Sequence, residues 1–268
     1  MTATPAEPTS VPLSLSGLSV SYGERPAVQQ LSLAVRPGEI YGLLGSNGAG
    51  KTSTIKAIVG LVRPVAGEIR VFGLDALRDS LAAKARIGYV PETSMLYEAL
   101  TPREFLEFVA SVRQIDAAAA TRRLESYAAA FRLEGELEEP IATLSNGTRQ
   151  KVLIVAALLH APPLLVLDEP LNSLDPRSVR IMKDVLLRYV VNGTRGVLFS
   201  THTMEVAEQL CQRVGILDHG VLRGEGTLAA LRDRVAAGDA SLEEIFLRLT
   251  EEDAGVRAAV DSLGDPPP

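Results

Sequence analysis

Gly45-Ser46-Asn47-Gly48-Ala49-Gly50-Lys51-Thr52 has the spacing GxxxxGK[ST]. Glycines let the backbone curl so that successive N–H groups face inward. With the positive end of a following helix, those groups form a cradle for phosphate oxygens. Lys51 would bridge the β and γ phosphates of a nucleoside triphosphate, and the Thr52 hydroxyl would ligate Mg²⁺. A second stretch, Leu164-Leu165-Val166-Leu167-Asp168-Glu169, is an apolar run ending in two acids. Open α/β sheets bind ligands at the carboxyl ends of their strands. Asp168 would therefore hold the cation, directly or through water, and Glu169 is the candidate general base for an attacking water. Each stretch alone has a plainer reading, a glycine-rich turn or an acid pair at a strand exit. Side by side they specify triphosphate chemistry.

The elements that must carry these residues are legible from periodicity. Glu39 to Leu44 reads as a buried strand, and Ile55, Ile58, Val59 and Val62 predict a helix that Pro64 stops, so strand, loop and helix follow in the order the motif requires. Upstream, Leu13 to Val35 alternates short β-like runs around a turn at Tyr22-Gly23-Glu24-Arg25-Pro26. Thr101-Pro102-Arg103-Glu104 has the form of a helix start. It is followed by an apolar stripe of Phe105, Phe108, Val109 and Val112, and then by a second helix carrying Leu124, Tyr127, Ala128 and Phe131. Residues 93–160 thus read as a helical insertion. Leu164 to Leu167, Val197 to Thr201 and Val214 to Leu217 return as interior strands of a mostly parallel sheet. Ser241-Leu242-Glu243-Glu244 opens a last helix with one apolar face, Leu242, Ile245, Phe246 and Leu249, more suited to covering its own domain than to binding a partner. Polar, proline-punctuated residues 1–12 and 251–268 read as loose tails.

Composition narrows the class. In 268 residues, 46% hydrophobic and 22% charged content fits a packed chain with a sizeable core and excludes a small disulfide scaffold. A net charge of −6 argues against nucleic acid as a partner, which calls for a basic face. Cys211 is the single cysteine, and the first ten residues lack the basic and apolar blocks of a secretory signal, so the reading is cytoplasmic. The longest apolar stretch, Val152 to Leu167, is interrupted by His160, Pro162 and Pro163 before it could span a bilayer. Any membrane role is therefore expected to be peripheral, through a partner that supplies the spans.

Taken in order, the motifs resemble those of the ATP-binding subunit of ABC transporters. What separates that family from other phosphate-loop ATPases is a signature, usually LSGGQ, at a helix start before the acidic strand. Here it stands as Leu144-Ser145-Asn146-Gly147-Thr148, with Asn146 and Thr148 departing from the usual letters. The resemblance covers roughly residues 13–225. It implies an α/β, RecA-like phosphate-loop core (13–92 and 161–225) with an N-terminal antiparallel β subdomain, a helical signature subdomain (93–160) and a C-terminal helical extension (226–250). It also implies ATP with Mg²⁺, bound by residues 45–53 including Ser53, with Tyr22 stacking on adenine. Lys51, Glu169 and the switch-type His202 would be catalytic, and Thr52, Asp168 and Glu92 would hold the metal. Glu92, in Ile87-Gly88-Tyr89-Val90-Pro91-Glu92, stands where the family usually has glutamine. Ser145, Gly147 and Asp175 would serve the nucleotide of a second subunit, identical or related, in a head-to-tail dimer.

The implied function is an ATP-hydrolysing motor that energises a separate transmembrane permease from the inner face of the cell membrane. The Glu92 segment and the tail 241–249 are similar to those of ABC-2-type export ATPases. Two other readings compete: a soluble ABC protein acting on ribosomes or nucleic acid, and a phosphate-loop kinase. A single cassette with no sustained heptads disfavours the first; Ser145, Gly147, Asp175 and His202 have no place in the second. His160 and His219 match no motif, and a structural role is expected for both.

Overall fold

The computed structural model describes residues 11–235 and 238–250. Alternation sets the first two strands. β1 (Leu13–Tyr22) and β2 (Arg25–Val35) point Leu13, Leu15, Leu18 and Val20, and Val28, Leu31, Leu33 and Val35, to one buried face. They pair antiparallel, Leu13 opposite Val35 and Leu15 opposite Leu33. The next strand, β3 (Glu39–Leu44), is buried at all six positions, as expected for the middle of a parallel sheet. After it α1 (Lys51–Ile58) ends earlier than the Val62 periodicity predicted. Gly60, at φ +72°, stops it before Pro64 is reached, with Leu61 N–H donating to Lys56 O and Gly60 N–H to Ala57 O in a Schellman closure. Val62 still packs on the core, from a loop.

β4 (Ala66–Val71) and the short β5 (Leu74–Asp75) complete a four-stranded antiparallel sheet in the order β2-β1-β4-β5. Then come α2 (Ser80–Ala85), β6 (Ile87–Val90), α3 (Pro102–Val112), α4 (Ala117–Phe131), a 3₁₀ turn at Ile141–Thr143 and α5 (Asn146–Leu159). β7 (Leu164–Asp168), α6 (Pro176–Val190), β8 (Gly196–Thr201), α7 (Met204–Leu210), β9 (Arg213–Asp218), β10 (Val221–Gly226), α8 (Leu228–Arg234) and α9 (Leu242–Leu249) follow. The second sheet has six strands in the order β10-β9-β3-β8-β7-β6, parallel except for β10. An apolar cluster runs without a break from α3 and α4 through α5 to β7 and β8. The apolar run from Val152 to Leu167 is divided between α5 and β7, and among the described residues no helix is long and apolar enough to cross a membrane.

The start of α3 is as predicted. Thr101 accepts from the Glu104 N–H, Glu104 accepts from the Thr101 N–H, and Pro102 leads the helix. Its apolar face is only partly as expected, with Phe105 and the half-buried Val109 on the core. Phe105, Leu106 and Ala110 are buried, whereas Phe108 is 49% and Val112 64% exposed. Packing of Leu106 and Ala110 against the neighbouring helices turns Phe108 outward, where its ring meets Tyr97 edge-on at 6.0 Å. α9 forms its capping box at Ser241 and Glu244, and Leu242, Ile245 and Phe246 pack with Leu44, Ala207 and Ile216, so it covers its own domain as expected. Pro12, expected in a loose tail, is buried and accepts a hydrogen bond from Phe72 N–H. The rest of the tail expectations, residues 1–10 and 251–268, falls outside the described residues.

His160 caps the end of α5, in keeping with a structural role, but it does not act there as a cation. Burial, helped by Arg113 and Arg123, pushes its pKa from 6.5 down to about 4, and the neutral ring donates through Nε2 to Ile87 O at 3.1 Å. The unfolded chain takes up this proton more readily than the folded one. Stability is therefore undiminished above pH 6.5, falls as the pH drops from 6.5 towards 4, and levels off below. Urea unfolding of His160→Gln across this range should show a shallower decline than the parent. Identical slopes would remove His160 as the cause.

Candidate functional site

The phosphate loop leaves the carboxyl end of β3 and hands the chain to α1 at Lys51. Gly50, at φ +108°, sits so close to the backbone that an added Cβ would lie 2.5 Å from Ala27 O. Lys51 is almost fully buried. Its Nζ donates to Gly45 O at 2.6 Å and Ser46 O at 3.2 Å, and lies 3.5 Å from Glu169 Oε1. A cavity of about 180 Å³ opens here, lined by Ala27, residues of the loop from Ser46 to Ser53, Glu92 and Glu169.

β7 delivers the two acids. Asp168 is fully buried; Oδ1 accepts from Ser200 Oγ at 2.6 Å, and Oδ2 has no hydrogen-bond partner. Burial raises the Asp168 pKa, opposed by the Ser200 hydroxyl and by the Thr52 hydroxyl close by. A bare carboxylate oxygen beside the Thr52 and Glu92 oxygens, themselves linked by a Thr52 Oγ1 donation to Glu92 Oε2 at 3.2 Å, fits a hard divalent cation. Glu169 is held at φ +48°, a strained conformation for a residue with a side chain. The Ser200 hydroxyl accepts its N–H at 3.0 Å, and Oε1 sits 2.9 Å from His202 Nδ1. The carboxylate is thus placed between the ammonium of Lys51 and the imidazole of His202, at the edge of the cavity.

Ser200 is a residue that sequence reasoning missed. One hydroxyl serves both acids because Asp168 pairs with Ser200 in the β7–β8 register. Its only signal in the sequence is a polar residue inside the apolar run of β8. Ser200→Ala should cost about 1–3 kcal/mol of stability, since it strands the Asp168 oxygen and the Glu169 N–H. The same variant should lose ATP turnover well beyond that expected from the unfolded fraction. A thermal melt and a rate measured on the folded protein check the two parts separately.

Other expected residues lie elsewhere. Tyr22, at the end of β1, is 49% exposed and does not line the cavity. Neither Ser145 nor Gly147 lines it. Ser145 caps α5, accepting from Thr148 N–H at 3.2 Å. Gly147 lies against the loop after β7, where an added Cβ would stand 2.6 Å from Ser173 O. Asp175 caps α6; the Ser178 hydroxyl and N–H, together with Lys151 at 3.0 Å, hold its carboxyl well below the usual range. Gln150, buried, accepts from Ser94 Oγ and donates to Pro170 O, tying α5 to the loops after β6 and β7. His219 is exposed beside Asp218.

A parallel sheet whose β3 feeds a phosphate loop and whose β7 ends in two acids defines a phosphate-loop nucleoside triphosphatase. The chain belongs to the ABC transporter family, whose sequence description matches residues 28–172. It is an ATP-binding, ATP-hydrolysing member of that family. It is 37% identical to the ABC-type transporter ATP-binding protein EcsA of Bacillus subtilis (strain 168), over 91% of this chain and 98% of that protein. It is 36% identical to the Nod factor export ATP-binding protein I of Paraburkholderia xenovorans, over 79% of this chain and 69% of that one. Among solved structures, an ATP-binding subunit of an ABC transporter superposes with a TM-score of 0.85 at 36% identity, covering 89% of this chain and 99% of that chain.

Proposed function

We propose that this chain is the motor subunit of an exporter, working as a head-to-tail pair with itself or a related subunit. It would act beneath a separate permease at the inner face of the cell membrane. The helical segment 93–160 would carry the signature, the segments 13–92 and 161–225 the nucleotide site, and 226–250 a helical cover. Lys51 and the N–H groups from Gly45 to Ser53 hold the phosphates, and Tyr22 stacks on the adenine. Thr52, Asp168 and Glu92 would hold Mg²⁺, which would supply positive charge to offset that of the phosphates. Glu169 takes the proton of the attacking water, and His202, 2.9 Å away, orients the carboxylate and the γ-phosphate end.

One observation carries the pairing. Ser145 and Gly147 form an anion-binding helix start, yet neither lines the chain's own phosphate cavity. We read them as capping the nucleotide of another copy, with Asp175 crossing beside them. Export is supported by the likeness to the Nod factor export protein, together with the Glu92 segment and the 241–249 helix. Mixing two silent variants tests the arrangement. Lys51→Ala lacks a working cradle and Gly147→Asp lacks a working signature, so each alone should be inactive with the permease. A mixed pair has one complete site and should recover a substantial part of the ATPase rate. No recovery from properly folded partners would mean that each chain completes its own site.

A further inference from the structure

Glu92 brings a full carboxylate into the phosphate cavity without a positive partner. It lines the cavity beside Lys51 and Thr52, accepts one hydrogen bond from Thr52 Oγ1, and takes part in no ion pair among the described residues. The ammonium in the cavity is already engaged, since Lys51 donates to two carbonyls and faces Glu169. Asp168 adds a fully buried carboxylate whose Oδ2 has no partner. Two carboxylates, Glu92 and Glu169, therefore share with one lysine the cavity where a strongly anionic triphosphate must settle. Like charges at such separations repel appreciably in a partly desolvated site, and an amide at position 92 would not contribute. A divalent cation reverses the sign of the Glu92 contribution, because a carboxylate is a better ligand for a hard cation than it is a neighbour for bare phosphate.

We infer that Glu92 ties nucleotide affinity to the metal: the site rejects metal-free ATP and accepts the nucleotide and its cation together. This rests on the reading of the cavity as the Mg·ATP site, and it adds that position 92 sets how strictly the two are linked. Discrimination against metal-free nucleotide is then a property of this chain's own side chain. A glutamine at the same place would relax it.

Calorimetric ATP binding, in excess EDTA and in excess Mg²⁺, tests this on the intact chain with Glu92→Gln, Glu92→Ala and Lys51→Ala. In EDTA both Glu92 variants should bind ATP about tenfold more tightly than the parent. In Mg²⁺ they should bind no better, so the Mg²⁺-to-EDTA affinity ratio falls at least about tenfold. Manganese titrated against the Glu92→Gln protein holding a non-hydrolysable ATP analogue should bind more weakly, read by the free-ion EPR signal. A ratio unchanged in both Glu92 variants, or shifted equally in the two media as a purely structural role would give, overturns the inference. Lys51→Ala distinguishes the underlying reading: ATP binding that survives there in both media would remove the nucleotide site itself, whatever Glu92 does.

Discussion

Glu169→Gln should bind Mg·ATP as the parent does, turn it over about 10²–10⁴-fold more slowly, and persist as a dimer. Glutamine fills the same volume at a position where Oε1 is fixed 2.9 Å from His202 Nδ1 and 3.5 Å from Lys51 Nζ. It keeps an acceptor for both neighbours and loses only the capacity to take a proton from water. Backbone geometry argues the same way. A non-glycine residue at φ +48°, with its N–H tied to the Ser200 hydroxyl, is held in a strained conformation that aims its side chain into the cavity. Hydrolysis that opens a nucleotide-closed pair would be blocked, so the closed form accumulates. Phosphate release and sedimentation in excess Mg·ATP measure the two consequences. Unimpaired turnover would reject Glu169 as the base, and a variant that stays strictly monomeric even beside its permease would reject the paired motor.

Lys51→Ala is expected to abolish useful nucleotide binding. The residue is 5% exposed, and its ammonium is the one positive charge among the described residues that line a cavity also holding Glu92 and Glu169. Without it the two carboxylates face the phosphates unopposed. The loss of a buried, hydrogen-bonded charge from a ligand contact costs about 3 kcal/mol or more, roughly two orders of magnitude in Kd. Because a ligand that binds only the folded state raises its melting temperature, the parent should gain stability with ATP and the variant should not. A full ATP-induced shift in Lys51→Ala would exclude this loop as the phosphate cradle. The apo variant also leaves the Glu169 carboxylate with His202 as its remaining charged or hydrogen-bonding neighbour, so its own melting temperature is the necessary baseline.

Much of the site was legible before any fold was known, because its determinants are local. A phosphate cradle needs glycines, a lysine and a hydroxyl within eight residues, with a strand before and a helix after. β3, Gly50 and α1 supply them where the spacing put them. Helix starts are also written within four residues, and the capping boxes at Thr101 and Ser241 form as read. Helix faces were less legible. The spacing in α3 offered Phe105, Phe108, Val109 and Val112, but the buried set includes Leu106 and Ala110, because neighbouring helices decide which stripe finds a partner. The end of α1 went to Gly60 rather than Pro64, since a left-handed glycine can close the helix first.

The sequence by itself determined that a nucleotide cradle and an acid pair exist, which strands and loops carry them, and that the chain resembles an ABC ATP-binding subunit. Those features depend on backbone geometry and side-chain chemistry over a handful of neighbouring residues. Tertiary structure alone decided that Ser200 would hold both acids, that His160 would stay neutral, and that Gln150 would tie α5 to the loops after β6 and β7. Each of these follows from strand register, desolvation or packing between separate segments, and no local spacing encodes which distant groups will become neighbours.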